Sequence, residues 1–194
     1  SPPMPEPTVK ALVCDTFGTV VDWRGSIGRE GRRRWAARAP GVDWEAFAHA
    51  WRSRYRDAMD SVRTGRLPWT NLDALHRMML EETLVQFGVT SLGEADKADL
   101  NRVWHRLKGW PDSAPGLRRL KKRYIIAPLS NGNVALLTNM AKFAGLPWDL
   151  MLSTELFRHY KPDPETYLGA AALLGLPPAE VMMVAAHTND LDSA

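Results

Sequence analysis

The chain has 194 residues, of which 45% are hydrophobic and 24% are charged, a composition typical of a soluble globular protein. This length suits one large domain or a core with an inserted subdomain, and no apolar run is long enough to cross a bilayer. The net charge is +3, and the arginines between residues 29 and 38 lack the accompanying motifs of nucleic-acid-binding domains. We therefore expect no nucleic acid and no membrane as partner, and a field that attracts a small anionic substrate.

The single cysteine, Cys14, excludes an intrachain disulfide. The opening residues carry no basic stretch followed by an apolar one, so we do not expect a secretory signal there. Both features favour the reducing environment of the cytoplasm.

The first predicted element is a short strand. The apolar run from Ala11 to Cys14 stops at a carboxylate, Asp15, and Gly18 and Thr19 follow three and four residues later. A continuous aliphatic run of this kind is typical of a strand buried on both faces of a parallel sheet. Ligands bind beyond the carboxyl ends of such strands. Asp15 is therefore a candidate nucleophile or metal ligand.

A long stretch with helical spacing of apolar residues comes next. It predicts helices over residues 26–38, 44–61, 71–87 and 94–107, separated by glycine- and proline-containing turns. We call residues 23–110 the helical insert.

From residue 111 onwards the pattern alternates again between helices and buried strands. We predict strands at 124–129, 148–153 and 181–186, with helices at 114–123, 135–144 and 164–174. Polar residues follow these elements: Ser130 and Asn131, then Lys161 in a proline-containing loop, then His187 and Asp190. Because parallel strands share one ligand-binding edge, these groups are expected to converge on Asp15.

The order of these groups along the chain resembles the four motifs of the haloacid dehalogenase superfamily: a candidate nucleophile, a hydroxyl, a lysine and a second carboxylate. The motifs correspond to residues 15–19, 129–132, 160–163 and 184–190. The resemblance implies an α/β fold: a Rossmann-like three-layer core with a parallel sheet, formed by residues 1–22 and 111–194. It also implies that the helical insert, residues 23–110, is a cap subdomain.

Phe17 indicates which branch of the superfamily the chain resembles. Phosphatases of the superfamily have a second Asp at this position, which acts as general acid and base beside magnesium, and a phenyl ring can do neither. The Asp-x-Phe-Gly-Thr form is similar to the L-2-haloacid dehalogenase (type II) branch, which works without a metal or other cofactor. Halide leaves as a stable anion, so no proton donor is needed for it. The resemblance implies hydrolysis of short 2-haloalkanoic acids to 2-hydroxy acids.

The same resemblance implies roles for individual residues. Asp15 attacks the halogen-bearing carbon with inversion and forms an ester that water hydrolyses. Lys161 stabilises the ionised Asp15 and the substrate carboxylate. Thr19 and Ser130 donate hydrogen bonds to Asp15 or to the substrate, and Asn131 contacts the halogen side. Arg52 stabilises the halide. Tyr167 takes an active-site position, although helical spacing would equally place it in the core.

The fourth motif departs from the family pattern. Ala185 and His187 stand where the family has a serine and an asparagine, while Asp190 keeps its place and is expected to activate the hydrolytic water. We expect His187 to act as a base or as a donor to Asp15. Two alternatives stay open: a phosphatase acting on a small phosphate ester, and a non-catalytic binding protein. The preferred halogen is also open, and the apolar stripes of the helical insert are compatible with a homodimer.

Overall fold

The computed structural model of the protein describes residues 2–3 and 8–185. Its main sheet has four parallel strands in the order β5-β4-β1-β6, and a small antiparallel ribbon pairs β2 with β3. The strands are β1 (Ala11–Cys14), β2 (Val21–Asp22), β3 (Lys108–Gly109), β4 (Ile125–Ser130), β5 (Leu152–Ser153) and β6 (Val181–Val184). The α/β class with a parallel sheet is thus confirmed, although β5 and β6 are shorter than predicted.

Helices occupy most of the chain between β2 and β3 and alternate with the strands after β3. They are α1 (Trp23–Arg34), α2 (Trp44–Ser53), α3 (Tyr55–Arg63), α4 (Leu72–Gln86), α5 (Glu94–Asn101), α6 (Ser113–Lys121), α7 (Val134–Ala144) and α8 (Pro164–Leu174). Short 3-10 turns cover Arg102–His105, Thr154–Leu156 and Pro178–Glu180. Among the residues that the structure describes, no helix combines the length and apolarity that a bilayer crossing requires.

The main sheet is covered on both faces. Successive residues of a strand point to opposite faces, and accordingly Leu12 and Cys14 join one apolar cluster while Val13 joins another. The larger cluster also contains Leu117 of α6 and buried residues of the helical insert, and the smaller one contains Ala170 of α8. The result is three layers, helix on sheet on helix, with a central β1 whose four residues are all buried.

The helical insert differs from the predicted elements at several places. The helix predicted over 26–38 ends at Arg34, and the one predicted over 94–107 is α5 followed by the 3-10 turn over Arg102–His105. Helix α1 begins at Trp23 rather than at residue 26, because the Asp22 carboxylate accepts a hydrogen bond from the backbone N–H of Gly25 and caps the helix. The single helix predicted over 44–61 is two helices, α2 and α3, which meet at Arg54.

A partly buried polar group connects the helical insert to the loop after β4. The carboxylate of Asp73, in the first turn of α4, accepts hydrogen bonds from His105 Nε2 at 2.9 Å and from Asn133 Nδ2 at 2.9 Å. Asn139 Nδ2 lies 2.9 Å from His105 Nδ1, so this nitrogen accepts and Nε2 carries the proton. Burial favours a raised pKa for Asp73, but the bonds from His105 and Asn133 outweigh it and the pKa is lowered.

Candidate active site

Asp15 lies at the carboxyl end of β1 and is 7% exposed. Its backbone N–H donates to the carbonyl of Val184 at the end of β6 (2.9 Å), which fixes its position relative to the sheet. The turn that follows needs a left-handed residue, and Gly18 supplies it with φ of 85°. This turn brings Thr19 back, so that its Oγ1 donates to Asp15 Oδ2 at 3.0 Å.

Lys161 reaches Asp15 from the loop before α8. Its Nζ lies 3.3 Å from Asp15 Oδ1. The side chain of Lys161 is 7% exposed and that of Asp15 is 11% exposed. Opposite charges this close, and this far from water, stabilise each other's ionised forms. The structure therefore brings the predicted nucleophile together with its predicted counter-ion.

Ser130 ends β4 beside the turn that carries the nucleophile. Its hydroxyl oxygen lies 2.7 Å from the hydroxyl oxygen of Thr16 and accepts a hydrogen bond from the backbone N–H of Gly132 (3.1 Å). These bonds tie the loop after β4 to the loop after β1. The sequence analysis assigned the Ser130 hydroxyl to Asp15 or the substrate and did not anticipate Thr16, because a contact across 114 residues leaves no local pattern.

Phe17 forms an apolar wall next to Asp15. It is 3% exposed and makes edge-on contacts with Trp104 and His76, at 5.8 and 6.4 Å between ring centroids. The position that would carry a second carboxylate in a phosphatase is thus packed into the core of the helical insert. No proton donor stands at this position.

Arg52 comes from the end of α2 and lies over the ring of Phe17, with its guanidinium carbon 5.2 Å from the ring centroid. Its Nη1 is inaccessible to water and has no hydrogen-bond partner among the described residues. Burial lowers the pKa of the guanidinium, and the phenol of Tyr55 and the charge of Asp15 oppose that shift. Arg52 is therefore a buried cation near Asp15, with one N–H that no described residue satisfies.

Asn131 lies between the helical insert and the Lys161 loop. Its Nδ2 donates to the hydroxyl of Tyr55 at 2.6 Å, and its Oδ1 accepts the backbone N–H of Lys161 at 2.9 Å. The prediction placed Asn131 on the halogen side of the substrate. The structure adds Tyr55, which the sequence analysis missed because its spacing fits the apolar stripe of a helix.

The remaining predicted residues have no described contact with Asp15 or lie outside the described residues. Tyr167 of α8 is partly buried and packs against the smaller apolar cluster, next to Ala170. Ala185 follows β6, at the same edge of the sheet as Asp15. His187 and Asp190 lie outside the described residues.

Cys14 immediately precedes Asp15 in the chain. It is buried, and this burial, together with the neighbouring charge of Asp15, raises its pKa to about 12. Cys14 is therefore a protonated core residue.

Metal-ligand spacing occurs at a different place in the described part of the chain. His159, Asp163 and Glu165 can bring one ligand atom each within 4.8 Å of one another. One oxygen of Asp163 already accepts from Arg63 Nη2 at 2.9 Å, and the other lies 3.3 Å from His159 Nδ1. The group lies outside the contacts of Asp15 described above.

Comparison with known proteins gives the family of the chain. The family model described as "haloacid dehalogenase-like hydrolase" matches residues 9–194. The chain belongs to this family.

Solved structures and curated relatives show which members of the family the chain is similar to. A defluorinating L-2-haloacid dehalogenase is 48% identical with a TM-score of 0.91, over 95% of this chain and 76% of that one. An L-2-haloacid dehalogenase from Xanthobacter autotrophicus, solved with chloropropionic acid covalently bound, is 28% identical with a TM-score of 0.83, over 96% and 73% of the two chains. The (S)-2-haloacid dehalogenase 4A of Burkholderia cepacia is 29% identical over 96% of this chain and 79% of its own.

Proposed function

We propose that the protein hydrolyses short 2-haloalkanoic acids, such as haloacetates and 2-halopropionates, to 2-hydroxy acids. The observation that carries this proposal is the combination at Asp15: a buried carboxylate paired with Lys161, next to a phenyl ring instead of a second acid. The relatives support it, since they are named as (S)-2-haloacid or L-2-haloacid dehalogenases.

The first step is a substitution at carbon. An oxygen of the Asp15 carboxylate attacks C2 of the substrate from the side opposite the halogen, a C–O bond forms, and the C–X bond breaks with its electron pair leaving on the halide. The product is an ester of Asp15, with the configuration at C2 inverted. A relative solved with chloropropionic acid covalently bound fits a covalent step of this kind.

The second step returns the carboxylate. Water attacks the ester carbonyl of Asp15 and gives up both protons: a base takes one, and the oxygen of the departing 2-hydroxy acid takes up the other as its bond to the Asp15 carbonyl carbon breaks. We assign activation of this water to Asp190, with His187 as a base or as a donor to Asp15. In sum, the haloacid and water give the hydroxy acid, halide and a proton.

The other polar groups hold charge in place during these steps. Lys161 and Thr19 contact the two oxygens of Asp15 and keep the carboxylate ionised and aimed. We assign Ser130 to hold the adjacent turn and to meet the substrate carboxylate. The buried Arg52 stabilises the halide as its charge develops, which a permanently charged guanidinium does well in a site closed to water.

The substrate pocket involves three further residues. Phe17 supplies an apolar wall, and Asn131 lies between the helical insert and the Lys161 loop, where we assign it to the halogen side. We assign Tyr167 to substrate binding as well.

Several broader properties belong to the same proposal. We propose that the helical insert, residues 23–110, acts as a cap on a core made of residues 1–22 and 111–194. We further propose a reaction that needs no metal or other cofactor, a cytoplasmic location, no nucleic-acid partner, and a homodimer formed through the cap.

Halide release tests the proposal directly. The enzyme is incubated with each enantiomer of 2-chloropropionate, with chloroacetate and with fluoroacetate, with and without a chelator. We expect halide from the S enantiomer and product of inverted configuration, unaffected by the chelator. The absence of halide from all four substrates would overturn the proposal, and magnesium-dependent release of phosphate from a small ester would support the phosphatase alternative.

Isotope labelling tests the covalent step. In one turnover in ¹⁸O-water, with enzyme in excess, the label enters the Asp15 carboxylate because water attacks the ester carbonyl. Label found in the hydroxy acid instead would show direct attack by water. Asp15→Asn is expected to abolish halide release in either case.

A further inference from the structure

Tyr55 stands where the helical insert meets the site. It is the first residue of α3, three positions after Arg52, and the break at Arg54 separates the two helices. The guanidinium carbon of Arg52 lies 3.7 Å from the centroid of the Tyr55 ring. A planar guanidinium stacked on an aromatic face gains a cation–π attraction, which is larger when the cation is desolvated, as Arg52 is. The ring thus holds the cation in place.

The hydroxyl of the same side chain makes a separate connection. It accepts from Asn131 Nδ2 (2.6 Å), whose Oδ1 accepts the backbone N–H of Lys161 (2.9 Å). The Lys161 side chain ends 3.3 Å from the Asp15 carboxylate. An unbroken series of contacts therefore runs from the helical insert, through the loop after β4, to the group that pairs with the nucleophile.

We propose that Tyr55 is a positioning residue for dehalogenation, acting through Arg52 with its ring and through Asn131 and Lys161 with its hydroxyl. The inference rests on the proposed function. It assigns to one residue the alignment of the two cations, one at the leaving halide and one at Asp15. A displacement of either cation by a fraction of an ångström weakens charge stabilisation in the transition state more than substrate binding.

Two substitutions distinguish the role of the Tyr55 ring from the role of its hydroxyl. Tyr55→Phe keeps the ring and removes the hydroxyl, whereas Tyr55→Leu removes both. Tyr124→Phe is the matched control, since Tyr124 is partly buried and directly precedes β4 at the other end of that strand. For each variant we measure kcat and KM for halide release, and hydrogen exchange at the Lys161 amide by NMR or mass spectrometry.

For Tyr55→Phe we expect kcat to fall by about twofold to tenfold at a nearly constant KM, and Lys161 amide exchange to accelerate by a similar factor, as the loss of one hydrogen bond implies. For Tyr55→Leu we expect kcat to fall by about a further tenfold, as the loss of a desolvated cation–π contact implies. Tyr124→Phe should leave all three quantities unchanged.

The role of the hydroxyl and the role of the ring can each be refuted separately. Amide exchange and kcat of Tyr55→Phe equal to those of Tyr124→Phe would overturn the role of the hydroxyl. A kcat of Tyr55→Leu no lower than that of Tyr55→Phe would overturn the role of the ring. If the unmodified protein releases no halide, the proposed function fails, but amide exchange still decides whether Tyr55 holds the Lys161 loop.

Discussion

Replacing Lys161 by Met tests whether the proposed nucleophile depends on its counter-ion. At an effective dielectric constant of about 20, unit charges separated by the 3.3 Å between Lys161 Nζ and Asp15 Oδ1 attract by about 5 kcal/mol. Part of this attraction offsets desolvation, and removing one partner of a buried pair typically costs about 3 to 5 kcal/mol. Lys161→Met should therefore strongly favour protonation of Asp15.

The assay is the pH dependence of kcat/KM for halide release from S-2-chloropropionate. A loss of about 3 kcal/mol moves the acidic limb of the profile upward by about two pH units, because protonated Asp15 is not a nucleophile. Lys161→Arg is the control, since it keeps a permanent positive charge and should leave the acidic limb in place. An acidic limb of Lys161→Met within half a unit of the unmodified enzyme would refute this reasoning.

Two further predictions concern stability and are measured by urea unfolding. Burial favours a raised pKa for Asp73, but the hydrogen bonds from His105 and Asn133 lower it. The contribution of Asp73 to the free energy of unfolding is therefore present above about pH 4 and is lost as the pH falls through the lowered pKa. Asp73→Asn should cost about 1 to 3 kcal/mol at pH 7 and flatten the loss of stability on acidification; an unchanged acid dependence would contradict this. In Gly31→Ala the new Cβ would lie 2.4 Å from Trp44, so we expect a loss of about 1 to 3 kcal/mol despite the better helix propensity. Gly116→Ala, whose Cβ meets only the Arg119 guanidinium at 3.8 Å, is the control and should gain about 0.5 to 1 kcal/mol; equal effects of the two would exclude the clash.

Local sequence patterns predicted the order of strands and helices well. The apolar run before Asp15 is a buried strand because alternate residues are packed on both faces of the sheet. The break at Arg54 was missed, since Trp51, Tyr55 and Met59 keep the four-residue spacing of one continuous helix. Periodicity reports which face is buried, and it does not report a local change of helix axis.

The candidate site was predictable where strand ends converge and unpredictable where pairs form across the chain. The pairing of Asp15 with Lys161 follows from the parallel sheet and the motif order. The pairing of Thr16 with Ser130, and the bond of Tyr55 to Asn131, depend on side-chain directions in the assembled fold. Hydroxyl groups in particular have many potential partners, so their sequence positions say little about which one they contact.

The buried thiol next to the nucleophile has a chemical consequence for an enzyme of this kind. The proposed substrates are alkylating agents, and a cysteine reacts with them as the thiolate rather than as the thiol. The chain has one cysteine, Cys14, and with a pKa of about 12 only about one molecule in 100,000 carries it ionised at pH 7. The carboxylate at position 15 forms an ester that water can open, whereas a thioether at position 14 would be permanent. Keeping the only thiol of the chain buried and protonated protects this side chain from alkylation by the compounds the protein is proposed to consume.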